Sequence, residues 1–156
     1  MTPSFATAIA SLPYWIMVLV TLLLVALAVG LHYEALERLN DRLPRSSLPM
    51  RPRILLLIGS ILLVHTAEIW IFGIGIYALV QFPALGVVSG TELVQLLDAV
   101  YLSATTFTTV GYGDLAPHGP IRLVMGTEAL TGSVLITWSA SFTYLEMQRY
   151  WRPRRS

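Results

Sequence analysis

The sequence predicts an all-α membrane protein with three transmembrane helices and one re-entrant helix followed by a loop. A mean hydropathy of +0.68 and a charged fraction of 12% favour a membrane-embedded chain over a soluble core. Three apolar stretches are also long enough to cross a hydrocarbon layer of about 30 Å at about 1.5 Å per residue. The 156 residues therefore form one small membrane-embedded domain.

The composition excludes several kinds of site. The chain has no cysteine, so neither disulfides nor thiolate metal sites can form. A net charge of +1 gives no indication of a nucleic-acid partner. His32, His65 and His118 are scattered along the chain, and no nucleophile, base and orienting group share a recognisable spacing. We therefore expect neither an enzyme nor an organic cofactor.

The first apolar stretch, within residues 1–34, is predicted to form an N-terminal transmembrane helix. Its core at 14–31 is uncharged and begins with an aromatic pair suited to the membrane interface. The sequence ALA at 26–28 resembles a signal-peptidase site, but no Lys or Arg precedes it and cleavage would leave the following arginines outside. We expect the helix to be retained and to pack outside the other helices, facing lipid.

The other two stretches are predicted to be an outer helix at 54–80 and an inner helix at about 121–147. The outer helix carries His65 and Glu68, which are three residues apart and therefore on one face. We expect a structural pair or a hydrogen bond between helices at this place. A pH sensor is the alternative, because histidine changes its charge near neutral pH.

Arginines orient the three helices. All basic residues are arginines, and most lie in a linker at 35–53 and in a tail at 149–156. Both segments are predicted to be cytoplasmic because cytoplasmic loops are enriched in such residues, so the N-terminus lies outside in a multi-pass protein of the cell membrane. The first helix has no arginine repeat, so we expect no voltage sensor, and we also expect no soluble regulatory domain. The clustered residues are Arg38, Arg42, Arg45, Arg51, Arg53, Arg149, Arg152, Arg154 and Arg155.

Residues 91–107 are predicted to form a helix that enters the membrane and ends inside it. Ser89 and Glu92 have the spacing of a capping box, and the helix is expected to be regular from Leu97 onward. The segment is too short and too polar at its start to cross the bilayer. The chain must then return in non-helical form, which is tolerated at membrane depth only where backbone is buried in protein or lines water.

The returning segment 108–114, TTVGYGD, is called the signature loop below, and its backbone suits a cation. Glycine permits dihedrals that other residues resist, so successive carbonyl oxygens can point to one axis. A dehydrated monovalent cation needs about eight oxygens, and one strand offers about two per level, which implies four chains. The residues that would supply these oxygens are Thr109, Val110, Gly111, Tyr112 and Gly113.

With a short helix before it and a spanning helix on each side, the signature loop resembles the selectivity filter of tetrameric potassium channels. The resemblance is to the bacterial pore module of two helices and one pore loop, which we place at 54–148. It implies a homotetramer in membrane lipid that conducts potassium ions passively, with K⁺ held at Thr109, Val110, Gly111 and Tyr112. A weakly selective monovalent cation channel is the alternative.

The resemblance further implies a shell of side chains that supports the signature loop. Many relatives carry two tryptophans and a glutamate where this chain has Tyr101, Leu102 and Thr105, so the shell must differ here. Asp114 is expected to hold the mouth of the filter through hydrogen bonds. The residues expected at the mouth and in the shell are Thr108, Asp114, Tyr101, Thr105 and Glu128.

The inner helix carries a carboxyl group and a strip of hydroxyls. A lone Glu128 at membrane depth is costly unless it is protonated or partnered, so we expect it to bond hydroxyls such as those of Thr105 or Thr106. A proton-sensitive gate element is the alternative. Gly132 stands where relatives place a bending glycine and is a candidate hinge. The candidate cavity-lining residues, which could instead be helix-contact positions, are Ser133, Thr137 and Ser141.

Overall fold

The computed structural model describes residues 11–47 and 49–151 and consists mainly of four helices. Residues 1–10 and the last part of the predicted tail, 152–156, lie outside the described residues. In chain order the elements are α1 (Leu12–Arg42), α2 (Met50–Val80), β1 (Val87–Ser89), α3 (Leu96–Phe107), β2 (Ala116–His118) and α4 (Arg122–Trp151).

Two of the described helices, α1 and α2, are long and apolar enough to cross a membrane. Each has 31 residues, which at about 1.5 Å per residue exceeds the thickness of the hydrocarbon layer. The 30 residues of α4 are also long enough, but α4 carries Arg122, Glu128, Glu146 and Arg149 and is less apolar. The third predicted span therefore stays a prediction.

The helix α1 continues to Arg42, into the segment 35–53 that the arginine pattern assigns to a linker. An ion pair of 2.9 Å between Arg38 and Glu34, one turn apart, supports this extension. Leu36 and Leu43 are buried against α2, in a small apolar cluster near the ends of the two helices. The connection that remains between α1 and α2 is therefore short.

The helix α3 begins at Leu96, later than the predicted start at 91. Its capping box is formed by Gln95 and Asp98, and the Gln95 N–H donates to Asp98 Oδ2 at 2.8 Å. The predicted capping box of Ser89 and Glu92 is wrong, because Ser89 belongs to β1. Only the part of 91–107 that was expected to be regular forms the helix.

Two short strands, which the sequence pattern did not predict, join the chain on either side of α3 and the signature loop. In this antiparallel pair Val87 lies opposite His118 and Ser89 lies opposite Ala116. A contact of 2.9 Å between Ser89 Oγ and His118 Nε2 reinforces the pair. The two ends of the segment that contains α3 and the signature loop are thereby held together.

The core lies where α3 packs between α2 and α4. Phe72, Phe107 and Ile121 are completely buried there and bring side chains from three parts of the chain together. The helix α1 packs against both α2 and α4, and buries Met17 and Ala28 in the same core. Its other side leaves apolar side chains such as Leu19 exposed, as expected for contact with lipid.

Candidate functional site

The end of α3 is fixed by close packing before the signature loop begins. The ring of Phe107, the last residue of α3, lies 6.5 Å from the ring of Phe72 on α2. On the other side, the backbone of α4 approaches so closely that a Cβ atom on Gly132 would lie 2.1 Å from the Phe107 carbonyl oxygen. Glycine at 132 is thus required by packing, and its predicted role as a hinge stays a prediction.

The signature loop projects from this packed base and is exposed in a single chain. Every residue from 108 to 114 is exposed, and 53% of Val110 and 72% of Tyr112 are accessible. These two side chains are therefore not buried by any other part of the described chain.

The backbone of the signature loop alternates in conformation. Positive φ angles occur at Thr109 (60°), Gly111 (54°) and Gly113 (81°), and not at Val110 or Tyr112 between them. Among the described residues Thr109 is the only one other than glycine with a positive φ, and such a conformation is uncommon for a β-branched residue. Backbone strain of this kind persists where the surroundings impose it, and it clusters at functional sites.

Two backbone hydrogen bonds tie the start of the signature loop to the end of α3. The Thr109 N–H donates to the Thr106 carbonyl oxygen at 2.9 Å, and the Gly111 N–H donates to the Thr105 carbonyl oxygen at 3.0 Å. Both bonds use N–H groups of the loop. Among the described residues, no identified hydrogen bond ends on a carbonyl oxygen of 109–113, so these oxygens remain available as ligands.

Tyrosine side chains hold the outer end of the signature loop. The Tyr101 hydroxyl donates to Asp114 Oδ2 at 2.9 Å, and the rings of Tyr101 and Tyr112 stack with centroids 6.5 Å apart. The Asp114 carboxylate can only accept, so the phenol is the donor in this contact. Asp114 was expected to form a hydrogen bond at the mouth of the filter, and its partner here is Tyr101. Tyr101 occupies the position at which many relatives carry a tryptophan.

Glu128 is completely buried, but its partner is not one of the predicted hydroxyls. Ser103 Oγ lies 2.5 Å from Glu128 Oε1 and 2.8 Å from the Ile69 carbonyl oxygen, whereas Thr105 and Thr106 bond the carbonyl oxygen of Leu102 in their own helix. The expectation of Thr105 or Thr106 as partner is therefore wrong. A threonine in a helix can satisfy its hydroxyl on the preceding turn, which removes it from longer-range pairing.

The two contacts of Ser103 have a consequence for the proton on Glu128. Ser103 Oγ lies within hydrogen-bond distance of two oxygen atoms, and each contact requires a hydrogen atom. A serine hydroxyl has only one proton to donate, so the second hydrogen must come from elsewhere. Both contacts are satisfied if Ser103 donates to Ile69 and the Glu128 carboxyl group donates to Ser103. A neutral carboxyl group is also the cheaper state at membrane depth.

The hydroxyls of Ser133, Thr137 and Ser141 lie on one exposed side of α4. Each donates to the carbonyl oxygen four residues earlier, at 2.9, 2.7 and 3.0 Å respectively. The strip is therefore available to a water-filled cavity or to a neighbouring chain, and its assignment to a cavity stays a prediction.

The expected pairing of His65 with Glu68 is present, and it includes a residue that sequence reasoning missed. His65 Nδ1 lies 2.7 Å from Glu68 Oε2, and His32 Nδ1 on α1 lies 2.8 Å from Glu68 Oε1. His32 and His65 are far apart along the chain, but the packing of α1 on α2 brings them together at Glu68. The proton-sensing role of His65 stays a prediction.

A short helix followed by an exposed loop of alternating backbone conformation lies between two long helices, an arrangement consistent with the pore module of an ion channel. The sequence profile of the ion channel family matches residues 64–148, more than half of the chain, and the chain belongs to that family. The match includes α3, the signature loop and most of α2 and α4. The family match points to a channel protein and not to an enzyme.

One curated relative matches a shorter part of the chain. The chain is similar to Protein LctB of Geobacillus stearothermophilus, with 40% identity over 53 residues, which cover 34% of this chain and 40% of the relative. The chain thus matches less than half of the length of that relative. No solved structure matches the chain significantly.

Proposed function

We propose that the protein is a potassium-selective channel in which the signature loops of four chains form the selectivity filter. The observation that carries this proposal is the alternation of φ at Thr109, Gly111 and Gly113. Alternating positive and negative φ lets consecutive carbonyl groups face the same side of an extended strand, which a ring of ion ligands requires. The absence of hydrogen bonds to these oxygens within the described chain is consistent with that use.

Four copies are proposed because one chain offers about two oxygens at each level, and a dehydrated potassium ion needs about eight. K⁺ would be held by Thr109, Val110, Gly111 and Tyr112, whose carbonyl oxygens replace its hydration shell. The exposure of the signature loop and of the hydroxyl strip on α4 supports this arrangement, because both would turn toward the shared axis.

The membrane arrangement follows from the arginines. We propose three spans per chain, with the N-terminus outside and the arginine-rich connection between α1 and α2 on the cytoplasmic side. The signature loop then opens to the outside. The C-terminal end of α3 points its partial negative charge inward, which favours a cation in the central cavity.

A bi-ionic reversal-potential measurement tests selectivity. Purified protein is reconstituted into bilayers with potassium on one side and sodium on the other. We expect a reversal potential close to the potassium equilibrium value and a current that barium blocks. A reversal potential near zero would instead support the weakly selective cation channel. Absence of any barium-sensitive current in either salt would contradict the proposal.

A further inference from the structure

A cluster of two imidazoles and one carboxylate lies in the interior of the protein and includes no residue of the signature loop. His32 on α1 and Glu68 on α2 are completely buried, and 13% of the His65 side chain is accessible. One possible ligand atom from each of the three residues lies within 4.8 Å of the other two. The cluster therefore brings together three groups that bind metals, from two helices that follow each other in the chain.

The surroundings of the cluster orient the His32 ring. Ser139 Oγ on α4 lies 3.4 Å from His32 Nε2, the ring nitrogen that does not contact Glu68. The His32 ring also lies 5.2 Å from the ring of Trp138. A histidine ligand of a metal commonly has its second nitrogen bonded in this way, which fixes the ring orientation and the tautomer.

The charge of the cluster requires a cation. With both imidazoles neutral, the three groups carry the single negative charge of Glu68, and such a charge at membrane depth is costly. Hydrogen bonds from two neutral rings stabilise the carboxylate but do not cancel its charge. Either an additional proton or a bound metal ion can do so.

We propose that His32, His65 and Glu68 form a binding site for a divalent transition-metal ion of the zinc type. Two imidazole nitrogens and one carboxylate oxygen are a ligand set that Zn²⁺ and Co²⁺ accept, with a fourth position for water or another group. Ca²⁺ and Mg²⁺ prefer sets made only of oxygen atoms, so they do not fit this site.

The observed geometry needs only small changes to close on an ion. Zinc–nitrogen bonds of about 2.1 Å place the ligand atoms of a tetrahedral site about 3.4 Å apart, so shifts on the order of 1 Å are sufficient. A groove of about 440 Å³ between α2 and α4, lined by His65 and Ser139, reaches the cluster from the side. It offers an access route to the partly accessible His65.

A metal ion at this site would connect α1 to the pore module. His32 is the ligand that α1 contributes, and His65 lies next to the end of α3, with its ring 5.9 Å from the ring of Phe107. The bound ion would hold the N-terminal helix in place beside the residue that precedes the signature loop. This inference does not depend on potassium selectivity.

Cobalt titration of the purified full-length chain tests the proposal. We expect about one Co²⁺ per chain and the visible absorption bands of a four-coordinate Co²⁺ ion, with Zn²⁺ displacing it. His32→Asn, His65→Asn and Glu68→Gln should each weaken Co²⁺ binding at least about tenfold, because each removes a ligand atom or the negative charge. Ser139→Ala should weaken it by about tenfold, as loss of a hydrogen bond to a ligand does.

His118→Ala is the matched control, because it removes the third histidine of the chain, which lies in β2 and contacts Ser89. It should leave cobalt binding unchanged. Thermal unfolding of each variant without metal checks that the protein is folded. If the ligand variants do not fold, Ser139→Ala still tests the site. The proposal is overturned if the wild type shows no four-coordinate cobalt spectrum, or if His32→Asn and Ser139→Ala bind cobalt as tightly as the wild type.

Discussion

The signature loop exposes all of its residues in one chain, whereas the polar side chains behind α3 are almost completely buried. In the loop, the important groups are backbone atoms whose directions depend on φ at three consecutive odd-numbered positions. Behind α3, they are side chains on different helices, such as Ser103 with Glu128 and His32 with Glu68. Substitutions in the loop should therefore act through the backbone conformation that they allow. Substitutions behind α3 should act through side-chain packing and the protonation of the buried groups.

Gly111→Ala should have the largest effect, because it acts on the loop backbone. An alanine at a positive φ costs about 1–2 kcal/mol, or about 4–8 kcal/mol in the proposed four copies. We expect potassium flux into liposomes to fall by at least about a hundredfold. A Cβ at this position has nothing within 4 Å in the chain, so a clash within the chain would not explain the loss.

The matched control for this change is Gly30→Ala in α1. A Cβ there also has nothing within 4 Å, but its φ is not positive. Flux through this variant should equal that of the wild type. Normal flux through Gly111→Ala would show that the left-handed conformation is not needed for conduction.

Gly132→Ala should have the next largest effect, on stability. The new Cβ would lie 2.1 Å from the Phe107 carbonyl oxygen, so α3 and α4 must separate. We expect the free energy of unfolding to fall by about 1–3 kcal/mol, measured by thermal unfolding of the purified protein. Gly126→Ala on the same helix, where a Cβ has nothing within 4 Å, should not lower stability and should raise it by up to about 1 kcal/mol, because alanine favours a helix over glycine.

The same pair of variants sharpens the interpretation of Gly132. If the residue acts mainly as a hinge, Gly132→Ala should change the open probability of the channel while stability stays the same. If close packing is its main role, stability should fall whatever happens to gating.

Glu128→Gln should have the smallest effect, because the amide keeps both the neutral charge and the hydrogen-bond donor. We expect stability to change by less than about 1 kcal/mol. The infrared difference spectrum between the wild type and this variant should contain the carbonyl band of a protonated carboxylic acid. Glu146→Gln is the control, since Glu146 pairs with Arg149 at 2.5 Å and should contribute a carboxylate band. A carboxylate band for Glu128 would contradict the proton assignment.

The helices and the loop between them were predictable because their signals are local. Long uncharged stretches indicate α1 and α2, and the heptapeptide at 108–114 indicates the pore module. Helix ends were less predictable: α1 runs on to Arg42 because its last turns pack on α2, and α3 begins at Leu96 because Gln95 and Asp98 form its cap. The position of a helix end depends on tertiary contacts and on caps, and the local sequence allows more than one such position.

By itself, the sequence determined that the chain is suited to a membrane, and it predicts a backbone at 108–114 that binds ions, since both inferences depend on composition and on adjacent residues. The tertiary structure decided that Ser103 contacts Glu128, that Gly132 touches the end of α3, and that His32 joins His65 at Glu68. These contacts join residues that are distant along the chain. A buried polar group takes the partner that helix packing brings within reach, and no spacing within a single helix reveals that partner.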